Sequence, residues 1–306
     1  MTNIGLIGIC PENGHPYSFS SIINGYDGEI IEKAGWGVIR SYLDAQDTSK
    51  IGFPDARVTH VWTQDENHTN WLQQGCHIPN RVKNIQDFVG NVDAVILARD
   101  DYDRHAEMAL PLLNAGIPVF VDKPLALEVG ELRQFQPFLE SGQLMSCSGL
   151  RYAQELDTPR SEIEDYGTLK LIRGTVVNGW EKYGVHMIEA IYGILSSTPA
   201  SVLSHDTTHD SFLITMHDGT SVQIDALGNV PITLQVDIWG TKKKSTHSIR
   251  DNFTAFRRTL RKFLEMVKTR TPQIEPSDTM QVMKTLVAGR RSKQEGKSVL
   301  IEDVKL

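Results

Sequence analysis

The chain has 306 residues, of which 40% are hydrophobic and 23% charged, and its net charge is −7. That profile fits a globular protein with a proper core and room for two domains of ordinary size. The acidic balance excludes nucleic acid as an expected partner, because neutralising phosphates takes a basic surface.

The opening MTNIGLIGIC lacks the basic leader and long apolar region of a secretory signal. No apolar run approaches the length of a membrane span, so no membrane partner is expected. Cys10, Cys76 and Cys147 are widely spaced, with no CxxC pair to suggest zinc. Free thiols in a reducing cytoplasm account for them, and no metal is expected.

IGLIGI (Ile4 to Ile9) predicts a short buried strand, followed by VTHVWT (Val58 to Thr63), VDAVILA (Val92 to Ala98) and the run Val119 to Val121. Between the last two, YDRHAEMALPLLNAG places Ala106, Ala109, Leu110, Leu112 and Leu113 at helical spacing, with Pro111 inside and Gly116 as its stop. Residues 85–89 predict a short helical link. Strands alternating with helices predict a parallel, doubly wound sheet. The fourth strand ends in Asp122-Lys123-Pro124. Charges at the carboxyl end of a parallel strand stand where ligands bind in such sheets. Taken alone, those three residues fit a solvated loop equally well.

The turn after the first strand departs from the dinucleotide fingerprint Gly-x-Gly-x-x-Gly, whose bare backbone approaches a pyrophosphate. Gly8 stands at the first glycine, but Cys10 takes the second, Pro11 follows, and the next glycine is Gly14. Ser18 or Ser20 is a candidate cap for a helix starting near Phe19. The second strand ends at Thr63, and the first acid after it, Asp65, is displaced from the usual ribose-binding position. Gly8, Ile9, Cys10, Thr63 and Asp65 are therefore candidate cofactor contacts; His15 and Tyr17 either line this altered loop or form a structural turn.

From Leu144 the pattern changes. Residues 169–177, 210–219, 221–228 and 232–240 predict antiparallel strands, with Asp218-Gly219 turning the hairpin between the second and third. A long helix follows a cap at Asp251 or Asn252, with Phe253, Phe256, Leu260, Phe263, Leu264 and Val267 on one face and Arg257, Arg258, Arg261 and Lys262 on the other. That basic face is expected to be solvated or to meet another subunit, and Lys242 to Lys244 to form a solvated turn. A last helix near Thr279 to Gln294 and a closing strand in KSVLIEDV complete the chain.

AGIPVFVDKPLA is similar to the Ala-Gly-Lys-His-Val-x-x-Glu-Lys-Pro-Leu-Ala stretch of the Gfo/Idh/MocA oxidoreductase family, with Asp122 in place of the glutamate. VDAVILARDDYDRHAEMAL resembles the family's strand, cofactor-facing loop (here from Arg99 and Asp100) and helix, with His105 matching its histidine. KYGVHMIEAIYGIL resembles the Asp-x-Gly-x-His-x-x-Asp helix, with His186 and Glu189 matched and Lys182 replacing the first acid. The resemblance spans most of the chain from about Val92 and is weak before it.

The resemblance implies an α/β Rossmann domain, residues 1–124, plus an α+β domain with an open-faced, mainly antiparallel sheet, residues 125–306. It also implies NAD or NADP, and hydride transfer at a carbon of a sugar-like or cyclitol substrate lying between nicotinamide and sheet. Lys123 would bind the reacting oxygen and the nicotinamide ribose, and His186 would be the acid/base. Arg99, Asp100, His105 and Asp122 join the cofactor contacts. Arg151, Tyr152, Lys182 and His186 are the candidate substrate contacts. Lys182 either holds an anionic group or tunes the histidine, or points to solvent. A homodimer or homotetramer through the second domain's sheet is the family expectation. Cofactor-assisted glycoside processing and a regulatory, catalytically inactive ligand binder remain the alternatives; the altered turn favours the latter, and Lys123 with His186 the enzymes.

Overall fold

The computed structural model describes all residues, 1–306. They form two compact units: 1–125, 134–146 and 256–274 in the first, and 126–133, 147–255 and 275–306 in the second. Each unit is thus assembled from three separate stretches of chain, with residues 134–146 and 256–274 adding to the first.

The first unit holds β1 (Thr2–Ile7), α1 (His15–Asn24), α2 (Gly28–Lys33), α3 (Gly37–Asp44), β2 (Ala56–Trp62), α4 (Glu66–Gly75), β3 (Asn80–Arg81), β4 (Ala94–Leu97), α5 (His105–Asn114) and β5 (Val119–Val121). Beyond β5 come α6 (Val129–Glu140), which runs through both stretches 126–133 and 134–146, and β6 (Leu144–Met145). The six strands pair in parallel in the order β3-β2-β1-β4-β5-β6. This is the strand order of a doubly wound dinucleotide-binding sheet. Every residue of β4 and β5 is buried, as the continuous apolar runs predict for a sheet covered on both faces. β3 and β6 have two residues each, too short to leave a periodic signal.

Two local features correct the sequence reading. The first strand ends at Ile7, leaving Gly8 and Ile9 beyond it. Helix α1 starts at His15 rather than near Phe19, with Gly14 as N-cap and Pro16 in its first turn, where a missing N–H costs nothing. Ser18 and Ser20 are therefore buried inside the helix instead of capping it, and Ser18 Oγ bonds the Tyr42 hydroxyl. The unusual length before β2 is taken up by α2 and α3; Asp27 caps the former by accepting from Glu29 N and Ile30 N. Helix α5 tolerates Pro111 and ends as expected: Gly116 adopts φ +85°, and Gly116 N donates to Leu113 O at 2.9 Å.

In the second unit, α7 (Asp157–Ser161), β7 (Leu169–Val176), α8 (Val185–Tyr192), β8 (Pro199–His205), β9 (Asp210–Met216), β10 (Ser221–Ala226), β11 (Leu234–Gly240) and β12 (Lys244–Ser248) precede the long helix α9 (Asn252–Thr269). Then follow α10 (Pro276–Glu295) and β13 (Val299–Leu300). The sheet order is β12-β11-β7-β10-β9-β8-β13; β7 and β10 pair in parallel and every other neighbour is antiparallel. Ile172, Val222, Ile224, Phe212, Ile214, Val236 and Ile238 point to one face and are fully buried. The other face carries a polar network. Asp225 accepts from Arg173 Nε and Ser211 Oγ, both at 2.8 Å, and Asp237 accepts from Thr246 Oγ1 at 2.6 Å. The closing strand shrinks to two paired residues because Ile301–Asp303 turn as a 3₁₀ helix.

Asp251 caps α9, its Oδ1 accepting from Thr254 N at 2.8 Å. Residues 256–269 of α9 lie in the first unit, where Phe256 packs edge-on against Phe19 and Phe263 against Phe120. The basic face is not simply solvated. Arg261 lies 3.9 Å over the Phe53 ring and bonds Asp55 at 2.6 Å, and Arg257 donates to Lys50 O at 2.9 Å. Lys243, expected in a solvated turn, bonds Glu162 at 2.6 Å. No helix is long and apolar enough to cross a membrane.

Candidate functional site

Strand order reverses between β1 and β4, so the crevice beyond their carboxyl ends is where a doubly wound sheet receives ligands. The chain places its charged segment there. Lys123 follows β5 directly and is only 4% exposed; its Nζ lies 3.6 Å from Asp100 Oδ2. Asp100 is fixed by Cys10, whose Sγ donates to Asp100 Oδ1 at 3.2 Å and accepts from Asp100 N at 3.4 Å. Burial, and then the neighbouring carboxylate, push the Cys10 thiol up to about 12, so it is a neutral packing group.

Asp122, 2% exposed, faces the start of α1. Its Oδ2 lies 2.5 Å from His15 Nδ1 and accepts from Asn13 Nδ2 at 3.2 Å, while Oδ1 accepts from Lys123 N at 2.9 Å. Burial alone would raise this carboxyl; the His15 and Lys123 charges and these hydrogen bonds outweigh it and hold it at about 2. A depressed carboxylate contributes stability above its unfolded value, and that contribution disappears as pH falls through the folded one. From 3.8 to about 2 the shift is on the order of 2 kcal/mol. The stability gap between the protein and Asp122→Asn should therefore shrink as pH is lowered from 4 to 2 in urea titrations; a constant gap would disconnect Asp122 from His15.

Several of the remaining candidates of this unit bond to neighbouring loops. Arg99 is 3% exposed and donates through Nη1 to Ile9 O and Gln64 Oε1, both at 2.7 Å, and through Nε to Asp101 Oδ1 at 2.8 Å. Burial lowers the guanidinium's proton affinity, and the Asp101 carboxylate more than restores it. His105 is wholly buried, with Nδ1 3.0 Å from Leu125 O and Nε2 2.9 Å from Arg99 O. Burial pushes its pKa down, and the neutral ring has one N–H to donate, to Leu125 O or to Arg99 O according to the tautomer. Arg99 and His105, expected as cofactor contacts, thus bridge the strand-end loops. Thr63 Oγ1 donates to Asp65 O at 2.6 Å, and the Asp65 carboxylate caps α4 through Asn67 N and His68 N. Tyr17 is buried and its hydroxyl bonds His68 Nδ1 at 2.7 Å. Asn13, Gln64 and Asp101 were missed by sequence reasoning, because an isolated amide or acid in a loop shows its role only through its partner.

A dinucleotide fits this donor set at one end. Lys123 and Asp100 supply a buried ion pair at the strand end, and Asp65 stands just beyond β2. The phosphate end lacks the bare-backbone cradle. Cys10 stands where the second fingerprint glycine would let the backbone approach a pyrophosphate, and a Cβ at Gly8 would meet Pro16 Cγ at 2.7 Å, so the turn is packed tightly against the first turn of α1.

In the second unit, His186 lies in the first turn of α8, half-buried. Its Nδ1 is 2.6 Å from Ser148 Oγ, which also accepts from Leu150 N at 3.1 Å. Ser148 was missed, since nothing in the sequence links it to a residue 38 positions away. Trp180–Gly184 form a π turn before α8. Lys182 is exposed on that turn, and the ring contacting His186 is Tyr183, edge-on with centroids 5.5 Å apart. Glu189 is buried and accepts from Arg151 Nη1 at 2.9 Å; Arg151 Nη2 donates to Asp278 Oδ2 at 2.8 Å. Burial raises Glu189 and Arg151 lowers it, with burial prevailing. Arg151, expected to touch substrate, is the cation of an ion pair with Glu189 and Asp278. Tyr152 is half-buried, and burial pushes its hydroxyl's pKa up. No group of His, Cys, Asp and Glu is arranged to hold a metal ion.

Residues 34–148 match the model of the GFO_IDH_MocA family, described as an oxidoreductase family with an NAD-binding Rossmann fold. Solved structures share the architecture along the whole chain. Myo-inositol 2-dehydrogenase from Lactobacillus plantarum matches at 16% identity and TM-score 0.77, over 98% of this chain and 99% of that one. Scyllo-inositol dehydrogenase from Lactobacillus casei, with bound NAD(H) and scyllo-inositol, matches at 15% and 0.76, over 99% of each. A probable dehydrogenase from Thermotoga maritima matches at 14% and 0.75, over 99% of each. At these identities the likeness is one of fold. No curated protein matches the chain by sequence. The resemblance to Gfo/Idh/MocA family oxidoreductases is borne out by the family match over residues 34–148, which include Asp122-Lys123-Pro124, and by the shared fold.

Proposed function

We propose that the protein is an NAD(P)-dependent dehydrogenase or reductase acting on a CH–OH carbon of a sugar-like or cyclitol substrate, working in the cytoplasm. One observation carries this reading: the sheet delivers the Lys123 ammonium, buried beside Asp100, to the carboxyl end of β5 next to the switch-point crevice. The bound nicotinamide would supply the hydride acceptor or donor. Lys123 and Asp65 are the residues proposed to hold the dinucleotide. Lys123 would also stabilise charge developing on the reacting oxygen. His186, whose Nδ1 lies 2.6 Å from Ser148 Oγ, is proposed as the acid/base that takes the proton from the alcohol. The inositol substrates of two fold relatives support the cyclitol class. The sheet face opposite the core is proposed to join subunits in a homodimer or homotetramer.

The experiment is a titration with NADH and NADPH, followed by nicotinamide fluorescence, then a screen of cyclitols and sugars for reduction of the oxidised cofactor. Micromolar binding with turnover of a cyclitol supports the reading. Binding with no turnover across the screen moves the weight to a regulatory ligand binder, which the tightly packed phosphate end of the crevice favours. Lys123→Met should lose about a hundredfold in turnover, the range seen when one transition-state charge partner is removed. Unchanged turnover would detach Lys123 from the reaction.

A further inference from the structure

We propose that the chain's own Asp122 carboxylate occupies the position at the start of α1 where a doubly wound fold receives a dinucleotide's pyrophosphate, so that binding requires this carboxylate to be displaced. The inference rests on the dinucleotide reading above and concerns how that site admits its ligand.

Four observations converge. Asp122 Oδ2 takes Asn13 Nδ2 and His15 Nδ1, the side chains flanking the N-cap Gly14, so the polar groups available there already serve an anion. The first amide of α1 is also spent, because His15 N donates to Asn13 Oδ1 at 2.8 Å. Both glycines of the turn are packed against protein where a side chain would project: a Cβ at Gly8 would meet Pro16 Cγ at 2.7 Å, and one at Gly14 would meet Trp36 and Ile39 at 2.6 Å each. Finally, the family-model match begins at residue 34, so the turn lies outside the segment that the family model covers.

A helix N-terminus favours an anion because its amides and dipole are uncompensated. Here the compensation is internal and covalently tethered. A pyrophosphate brought to the same place meets a carboxylate of like charge in a buried setting, where the repulsion is poorly screened. His15 stacks on Phe19 at 4.9 Å between centroids and meets Phe256 edge-on at 5.1 Å, so the clamp is itself held by packing.

The test compares NADH affinity of the full-length protein and of Asp122→Asn by nicotinamide fluorescence, with thermal melting to establish that the variant is folded. We expect Asp122→Asn to bind NADH at least tenfold more tightly, including the case where the unsubstituted protein shows no binding. A gain of less than tenfold, or a loss, overturns the proposal. Should the variant not fold, the unsubstituted protein decides through NADH against reduced nicotinamide mononucleotide. An advantage for NADH below tenfold means that the phosphate end contributes little and supports the proposal, and a larger one overturns it. The dehydrogenase reading fails separately, as no deuteride transfer from 4-deuterated NADH to any ketose or inosose at saturating cofactor, whichever affinities are found.

Discussion

Replacing His186 with alanine is expected to lower turnover by a factor of about 10²–10⁴, the span attributed to a positioned acid or base, with dinucleotide affinity unchanged. The argument is local to the second unit. Burial of Glu189 and its bond to Arg151 fix the turn bearing Ser148, and Glu189 also accepts a hydrogen bond from the Ser148 backbone. Ser148 then holds Nδ1, so the orientation of Nε2 is inherited from a buried ion pair one layer away. Ser148→Ala should accordingly shift the pH dependence of turnover and lower kcat more than it raises KM. Thr at 148 would restore the profile, because it keeps the hydroxyl. A His186→Ala protein that turns over at a near-normal rate would remove the histidine from the reaction altogether.

Arg151→Ala is expected to destabilise the protein by about 3–5 kcal/mol, the usual consequence of stripping one partner from a buried pair. Glu189 is 1% exposed and would keep only the Ser148 amide from its present partners, while Asp278, 40% exposed, would return to water at little cost. The pH dependence supplies the sign. Burial already holds the Glu189 pKa above its ordinary 4.5, and removing the arginine raises it further. The folded variant then binds a proton that the unfolded chain has released, so its stability falls as pH rises above 4.5. The deficit relative to the unsubstituted protein should be smallest near pH 4.5 and grow towards pH 8, read from urea unfolding. Adding Glu189→Leu should recover part of the loss, since no charge is left buried. A deficit under 1 kcal/mol, flat with pH, would return Arg151 to the list of ligand contacts.

Much of the fold is determined by sequence alone because the signals involved are local. Val119 to Val121 appear as an unbroken apolar run and are buried throughout. Gly116 stops α5 because only glycine takes φ +85° cheaply. The Asp218-Gly219 hairpin and the cap at Asp251 follow from single side chains acting on their own neighbourhood. The resemblance carried by the motif around Lys123 is legible for the same reason, since that short segment lies within the residues the family model matches.

Tertiary structure decided which of the polar residues serve each other. Arg99 and Arg151 look like ligand-binding arginines in sequence, yet each is satisfied by an acid brought to it by folding: Asp101 in the first case, Glu189 and Asp278 in the second. His105 lies between two carbonyls 20 and six positions away, and Asp122 is turned towards an amide and an imidazole more than 100 positions earlier. Hydrogen bonds and ion pairs form between groups that meet in space, and most buried polar groups find such a partner. Sequence therefore determined the sheets, the strand ends and the residue types available there. Only the packed molecule determined which charges are paired with one another and which stand at the strand ends.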